Sequence, residues 1–225
     1  MSNEKLVRIF DKQAKTYERR RRQRADRKPR ENLIPFAKGK VLEVAVGAGA
    51  NFPYYPTGVE VTGVDFSGEM LGKARVAARE EGVSADFIQS DVETLSFPEH
   101  SFDTIVSTLS MCGYEDPVKI LNLFNKWCKP GGQILLLEHG ISSNRLLGSI
   151  QTLLNPVYRR FVGCHFNRDI VQLLQQSDIQ IDKIEHQMLG IMHKIWAKPS
   201  GTEGCCGGTE GTGTVSHTKE STKFK

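Results

Sequence analysis

The apolar and polar positions of the chain follow two periods, one typical of strands and one typical of helices. Continuous apolar runs such as "KVLEVAV" are typical of strands that are buried on both faces. "SGEMLGKARVAAREEG" has helical spacing instead, with Ser67 placed to cap the helix and Gly82 placed to end it. Because strands and helices alternate in this way, we predict an α/β fold with a mainly parallel sheet and right-handed crossovers.

The second half of the chain refines this prediction. "CKPGG" predicts that a helix stops at Pro-Gly-Gly before the fifth strand, "QILLLEHG". Helical residues follow over about 144–176, and one helix is expected to begin at Arg168 with Asn167 as its cap. The last two strands, "IQIDKIEHQ" and "GIMHKIWAK", are separated only around Leu189–Gly190. We therefore predict that they form an antiparallel hairpin at one edge of the sheet.

Three segments are predicted along the chain. Residues 1–37 are expected to form a basic helical cap, with helix over 5–36 that is interrupted at Pro29 and Pro35. Residues 38–198 are expected to form one α/β domain. Residues 199–225 are rich in Gly, Thr and Ser and hold too little apolar surface to order themselves, so a flexible tail is expected there.

The basic charge of the chain is concentrated near residue 1. Residues 1–40 hold 14 Lys and Arg against 5 Asp and Glu, although the whole chain has a formal net charge of only +4. The run "ERRRRQRADRKPR" could bind nucleic acid or an anionic membrane surface, or it could be a solvated helix face. No aromatic residue interleaves with the arginines, which disfavours single-stranded nucleic acid as a partner.

Neither a membrane span nor a metal site is predicted. No apolar run approaches the roughly 20 residues that cross a bilayer, and no signal-peptide pattern is present, so we expect a cytoplasmic protein that can lie peripherally on a membrane. The 5 cysteines have irregular spacing and form no CxxC pair, which indicates neither a disulfide framework nor a zinc site. Cys164 is interpreted as a pocket wall or a small buried residue. The adjacent Cys205 and Cys206 lack partners at ligand spacing.

The stretch "VLEVAVGAGANF" is the first candidate for binding chemistry. A strand that ends in small residues lets the backbone approach a ligand closely, and free N–H groups beyond it can meet a carboxylate or phosphate. The spacing is Glu43-x-Ala45-x-Gly47-x-Gly49, which is not the G-x-G-x-x-G dinucleotide motif. Taken alone, it is equally consistent with a tight turn after a strand.

Two aspartates downstream strengthen the binding interpretation. Asp65 ends the second strand, 22 residues beyond Glu43, where α/β nucleotide folds place an acceptor for ribose hydroxyls. Asp91 follows the third strand and is placed to accept from an adenine amino group. All three carboxylates lie at the carboxyl ends of strands, the edge at which open α/β sheets bind ligands. Helix capping by Asp65 and simple exposure of Asp91 are the alternatives.

Together, "VLEVAVGAGANF", "VTGVDFSGEML", "SDVETLSFPEHSFDTIVSTLSM" and "CKPGGQILLLEH" resemble class I S-adenosylmethionine-dependent methyltransferases over about residues 38–198. The resemblance implies a Rossmann-like fold with a seven-stranded, mainly parallel sheet, a reversed C-terminal hairpin and helices on both faces. It also implies that S-adenosylmethionine is the methyl donor.

By the same resemblance, Glu43 and the loop Gly47–Gly49 would face the methionine part, Asp65 the ribose, and Asp91 with Val92 the adenine. Ala45 replaces the usual first glycine of the family; it is tolerated if φ stays negative, so altered affinity is expected before loss of binding. Further candidates for cofactor contacts at this edge are Asn51, Phe66, Met70 and Ser107.

The resemblances limit the methyl acceptor to a chemical class and do not identify the molecule. "GANFPYYP", "LEHG" and "LNPVYRRFVGCHFNRD" resemble the alkyl-thiol methyltransferases, which are membrane-associated in mammals. "VTGVDFSGEML" and "FPEHSFDTIVS" are as close to menaquinone/ubiquinone C-methyltransferases and to bacterial phospholipid N-methyltransferases. These groups share an apolar acceptor, so methyl transfer by SN2 displacement to a thiol, quinone or lipid head group is expected.

Two histidines are candidate catalytic residues, and two other functions stay open. His139 follows the fifth strand and could polarise a thiol or hydroxyl, although a pocket-lining or structural role is the alternative. His165 is the second candidate. An RNA methyltransferase would use the basic helix, but "STLSM" stands where the tetrapeptide of base N-methylation is expected. A non-catalytic cofactor-binding protein is the other alternative.

Overall fold

The computed structural model describes residues 3–201, and its centre is a seven-stranded sheet. Most of the predicted tail, including Cys205 and Cys206, lies outside the described residues. The strands are β1 (Lys40–Val44), β2 (Glu60–Asp65), β3 (Ser84–Gln89), β4 (Phe102–Thr108), β5 (Cys128–His139), β6 (Ile179–Gln187) and β7 (Met192–Pro199).

The strand order is β3-β2-β1-β4-β5-β7-β6, and this order leaves a crevice for a ligand at the middle of one sheet edge. Strands β1 to β5 pair in parallel, whereas β7 runs antiparallel to both of its neighbours. The predicted mainly parallel sheet and its reversed final hairpin are therefore confirmed. The order reverses between β1 and β4, which is the switch point where the carboxyl ends of parallel strands leave a crevice.

Helices cover both faces of the sheet. They are α1 (Asn3–Arg22), α2 (Arg27–Glu31), α3 (Gly68–Glu81), α4 (Pro117–Trp127), α5 (Arg145–Val162) and α6 (Ile170–Gln175), with short 3-10 turns at Ile34–Phe36, Phe52–Tyr54 and Val92–Thr94. As predicted, the Ser67 side chain accepts from the Met70 N–H to cap α3, and Gly82 ends that helix at φ 65°.

Three helix boundaries differ from the sequence prediction. The first helix breaks over residues 23–26, where Arg24 and Asp26 have positive φ, and Pro29 lies inside α2. Pro130 does not stop α4, because that helix ends at Trp127 and the Pro-Gly-Gly run already belongs to β5. The cap of α6 is Asp169, whose side chain accepts from the Gln172 N–H, and not Asn167.

Alternate side chains of the central strands feed two cores, one on each face of the sheet. On one face, Ile134 and Leu136 pack with Phe124 and Trp127 of α4. On the other face, Leu135 and Leu137 belong to a cluster that includes α3 and the segment around Leu33. The apolar run of β5 is continuous because a central strand is buried on both faces.

The N-terminal segment packs against α3 through one face of α1. Ala14 is buried there, and Arg21, itself only 6% exposed, pairs with Glu80 at 2.8 Å. A second ion pair joins Glu18 to Lys73 at 2.9 Å. The basic run is therefore not solvated throughout, because some of its arginines turn inward.

Candidate functional site

The candidate site is a cavity at the carboxyl ends of the central strands, closed on one side by α1. Its volume is about 310 Å³, which is in the range of small-molecule sites. Residues of the loops after β1, β2, β3 and β4 line it, together with Phe10 and Tyr17 of α1 and Gly163 at the end of α5. The loops that carry the candidate binding residues therefore meet at this cavity.

The sequence-predicted cofactor residues divide into a lining group and a supporting group. The cavity wall includes Ala45, Gly47, Asp65, Phe66, Met70 and Asp91. The other candidates are buried behind that wall, namely Glu43, Gly49, Asn51, Val92 and Ser107. The residues of the second group do not line the cavity, so they affect it only by holding the lining loops in place.

Ala45 does not keep the negative φ on which its tolerance was expected to depend. Its φ is +48°, in the left-handed region that favours glycine. The β1 strand ends at Val44, and the chain turns sharply here so that the Val46 N–H can donate to the Val64 carbonyl at 2.9 Å. The alanine therefore stores backbone strain in the floor of the cavity.

We expect Ala45→Gly to stabilise the protein by roughly 0.5–1 kcal/mol, because relief of the left-handed strain exceeds the backbone entropy that glycine adds. Thermal denaturation should show a Tm higher by about 1–4 °C. Ala50→Gly is the matched control, because Ala50 lines the same cavity without a positive φ. That control should lower the Tm, and a rise in both variants would contradict the strain argument.

Asp65 holds the loop that follows β1 and faces the cavity. Its Oδ2 accepts from the Gly47 N–H at 2.9 Å, and its Oδ1 accepts from the Ser67 N–H at 2.9 Å. Burial raises the pKa of this carboxyl to about 6, against the lowering effect of the two N–H donors. Each oxygen keeps a second lone pair, so the carboxylate can also accept from ligand hydroxyls.

Glu43 anchors a buried polar network behind the cavity wall. Its Oε1 accepts from the Asn51 amide and its Oε2 from the Tyr55 hydroxyl, each at 2.8 Å. Burial raises the pKa of Glu43 to about 7, although both hydrogen bonds oppose that shift. Arg30 donates to Asn51 Oδ1 and, at 3.1 Å, to Thr108 Oγ1, which joins this network to β4.

Arg30 is a site residue that sequence reasoning missed. It lines the cavity, it is 5% exposed, and its buried Nε has no hydrogen-bond partner among the described residues. A buried Nε without an acceptor is costly, and a carboxylate in the cavity would supply that acceptor. The run of neighbouring arginines in the sequence gave no sign of which one turns inward.

Glu138 is a second residue that the sequence did not reveal. It is fully buried, and its carboxylate accepts from the Ser107 hydroxyl at 2.8 Å and from the Ser110 and Met111 N–H groups at 3.0 and 3.1 Å. Burial raises the pKa of Glu138 to about 7. This carboxylate fixes the loop after β4, which carries Cys112 into the cavity wall.

The two candidate histidines occupy different places. His165 lines the cavity, and its ring lies 3.1 Å from the Asn155 amide. His139 is the last residue of β5 and lies beside Cys112 and Cys164, outside the cavity lining. Burial lowers the pKa of His139, but the neighbouring Cys164 and Glu138 together outweigh burial and raise it overall.

The wall residues suit a cofactor that carries a ribose and an amino acid. Asp65 could accept from ribose hydroxyls, and Arg30 could pair with the α-carboxylate through the face that holds its free Nε. The backbone at Gly47 leaves room, because an added Cβ would meet nothing nearer than 3.9 Å. Asp91 lies on the wall at the end of β3, with its Oδ1 accepting from the Glu93 N–H at 2.9 Å.

Comparison with known proteins agrees with this geometry. A sequence profile described as "Methyltransferase domain" matches residues 42–136. A phosphatidylethanolamine N-methyltransferase of Cereibacter sphaeroides is 34% identical over 64% of this chain and 71% of its own length. A thiol S-methyltransferase of Rattus norvegicus, TMT1B, is 30% identical over 63% of this chain and 62% of its own length.

A solved structure extends the comparison to the fold. The protein from Thermotoga maritima described as an S-adenosylmethionine-dependent methyltransferase, possibly acting on histamine, matches with a TM-score of 0.62. The match covers 87% of this chain and all of that one, at 18% identity. Among the described residues, none of the helices combines the length and apolar character needed to cross a bilayer.

Proposed function

Because this chain belongs to the class I S-adenosylmethionine-dependent methyltransferases, with S-adenosylmethionine as methyl donor, we propose that it methylates a small apolar acceptor drawn from a membrane surface. The observation that carries the proposal is the exposed apolar face of α5, which runs up to the cavity. The acceptor class is a thiol, a quinone or a lipid head group.

Methyl transfer requires mainly that the donor and the acceptor are aligned and that water is excluded from the site. The bound donor would supply an electrophilic methyl carbon, which the acceptor attacks in line as S-adenosylhomocysteine leaves. No covalent intermediate on the protein is needed, so the residues of the site contribute orientation and exclusion of water, worth up to about 7–11 kcal/mol in well-aligned cases. Phe10 and Tyr17 of α1 line the cavity, and we propose that residues 1–37 act as the cap that keeps water out.

The apolar face of α5 lacks a partner among the described residues. Leu146, Ile150, Leu153, Val157 and Phe161 are each at least 45% exposed, and their spacing puts them on one side of the helix. An unpartnered apolar face of this size on a soluble surface marks an interaction site. A helix of this kind fits the interface of a bilayer, with its apolar side among the acyl chains.

The charges of α1 favour an anionic bilayer as the partner of the protein. Gln13 of α1 donates to the Val162 carbonyl at 3.5 Å, and Gly163 lies against Leu6 and Phe10, so α1 touches the end of α5. Exposed basic residues recur along one side of α1 at helical spacing, namely Lys5, Arg8, Lys12, Lys15 and Arg19. Basic residues near an anionic surface each add about 1 kcal/mol of attraction.

The test presents an alkyl thiol, a demethylated quinone and phosphatidylethanolamine in vesicles that contain phosphatidylglycerol, with S-adenosylmethionine present. We expect a methylated product from at least one of them, detected by mass spectrometry. The double variant Leu146→Glu/Leu153→Glu should bind the vesicles at least ten-fold more weakly, because each lost leucine forfeits about 1.5–3 kcal/mol of burial. Its turnover of a short water-soluble acceptor should not change.

Met188→Glu is the matched control, because Met188 is 69% exposed on the turn between β6 and β7. This control should bind vesicles like the unmodified protein. Equal binding by the α5 variant, or an equal loss in the control, would overturn membrane docking. Absence of product from all three acceptors would overturn the acceptor class.

A further inference from the structure

Three side chains that carry soft metal ligands converge at the edge of the cavity. The Sγ atoms of Cys112 and Cys164 and a ring nitrogen of His139 all lie within 4.8 Å of one another. They come from three different parts of the fold, namely the loop after β4, the end of β5 and the loop after α5. Both thiols are buried, and Cys112 belongs to the cavity wall.

The two loops that carry the cysteines are tied to each other through their backbones. The His165 N–H donates to the Cys112 carbonyl at 2.8 Å. Arg168 Nη1 donates to the Met111 carbonyl at 2.7 Å. The Met111 N–H donates to the carboxylate of Glu138, which is the residue before His139. Such outer contacts fix the geometry of a ligand set before any ion arrives.

The donor set selects for one kind of ion. Two thiolates and an imidazole suit Zn²⁺, whereas Mg²⁺ and Ca²⁺ require the oxygen ligands that this cluster lacks. Three protein ligands leave a tetrahedral zinc ion with an open fourth position, the arrangement of catalytic rather than structural sites. We propose that Cys112, His139 and Cys164 bind one Zn²⁺ ion whose open position faces the cavity at Cys112.

The open position gives the zinc site a substrate class, and this step rests on the proposed methyltransferase function. A thiol acceptor binds the ion through sulfur and loses its proton to solvent, which leaves a zinc-bound thiolate. The thiolate sulfur then forms a bond to the transferred methyl carbon as the sulfonium C–S bond breaks. The thioether product is a weak zinc ligand and leaves together with S-adenosylhomocysteine, which restores the open position.

The direct test measures bound zinc in the full chain carrying Cys205→Ser and Cys206→Ser, so that the two adjacent tail thiols cannot contribute. After incubation with Zn²⁺ and gel filtration, we expect about one zinc per chain by elemental mass spectrometry. Cys112→Ser and Cys164→Ser should each lose nearly all of it, and His139→Ala should lose most. Cys128→Ser is the matched control, because Cys128 is a buried thiol outside the cluster and should leave one zinc.

A spectroscopic arm identifies the ligands without reference to activity. Co²⁺ in place of Zn²⁺ should give the absorption bands of a tetrahedral ion and a thiolate-to-cobalt charge-transfer band. Cys164→Ser should abolish the charge-transfer band or weaken it strongly. An octahedral spectrum, no bound metal, or equal zinc in the cysteine variants and in the parent would overturn the site.

The outcome can be separated from that of the proposed function. We expect binding of S-adenosylmethionine, measured by calorimetry, to depend on Asp65 and the loop after β1, which lie outside the cluster, so Cys164→Ser should retain it. If the zinc site exists, this variant also loses methyl transfer to a thiol in vesicles. If zinc is absent but a thiol, quinone or lipid is still methylated, the zinc proposal fails and the methyltransferase proposal stands. If zinc binds but none of these acceptors is methylated, the reverse holds.

Discussion

Asp65→Ala should weaken the binding of S-adenosylmethionine by about 100-fold or more. A hydrogen bond to a charged group contributes about 1.5–3 kcal/mol, so loss of two ribose contacts costs at least two factors of ten. The substitution also releases the Gly47 and Ser67 N–H groups, which the carboxylate now holds at 2.9 Å. Isothermal titration calorimetry with S-adenosylmethionine and S-adenosylhomocysteine measures the change.

The pKa of Asp65 gives this prediction a second signature. Because burial raises the pKa to about 6, the carboxylate gains a proton as the pH falls through that value, and a protonated carboxyl accepts more weakly. Cofactor affinity should therefore fall below about pH 6. The stability of the fold has the opposite dependence on pH. The folded pKa exceeds the unfolded value of 3.8, so ionisation of Asp65 lowers stability as the pH rises from 3.8 to about 6.

Two comparisons decide the outcome for Asp65. Asp86→Ala removes an exposed carboxylate from the neighbouring strand β3 and should leave cofactor affinity unchanged. Asp65→Ala should also lack the pH step near 6 that the parent shows. Undiminished affinity in Asp65→Ala would remove the ribose assignment, and an equal loss in Asp86→Ala would indicate a general electrostatic effect.

Gly49→Ala should lower the free energy of unfolding by about 3 kcal/mol. The residue has a φ of +77°, and an added Cβ would lie 2.8 Å from both the Ala77 Cβ and a ring carbon of Phe52. Both neighbours are fully buried, so neither can withdraw. Overpacking of this kind costs about 1–3 kcal/mol, and the left-handed backbone adds about 1–2 kcal/mol for a residue with a Cβ.

Gly58→Ala separates the two causes. Gly58 also has a positive φ, +88°, but an added Cβ would meet nothing within 4 Å. This variant should therefore lose only the backbone component, roughly 0.5–1 kcal/mol once the backbone entropy that alanine saves is subtracted. Urea denaturation of both variants measures the difference, and equal losses would show that contact with Ala77 and Phe52 is unimportant. Because α3 packs on the loop through Ala77, Gly49→Ala should also weaken cofactor binding.

Features that depend on neighbouring residues could be predicted from the sequence. The cap of α3 at Ser67 and its end at Gly82 were predicted, because capping is decided within four residues. The hairpin around Leu189–Gly190 followed from the shortness of the connection between two strand patterns. Asp65 was predicted as a site residue because the end of a parallel strand is necessarily at the ligand edge.

The features that could not be predicted join residues far apart in the chain. Arg30 contacts Thr108 across 78 positions, and no pattern in a run of arginines shows which one meets a buried acceptor. Glu138 was hidden inside an apolar strand, and its partners are the backbone N–H groups of another loop. Cysteine spacing gave no sign that Cys112, His139 and Cys164 come together, because spacing detects a cluster only when its members lie close in sequence.

The position of β7 sets the order in which the chain acquires its parts. The cofactor half, from β1 to β4, uses strands that leave the ribosome early and pair with one another. β5 obtains its second neighbour only when β7 arrives and inserts between β5 and β6, where Met192 pairs with His139. The strand that carries His139 can therefore gain its second neighbour only after Met192–Pro199 has been synthesised, later than the pairing of β1 to β4.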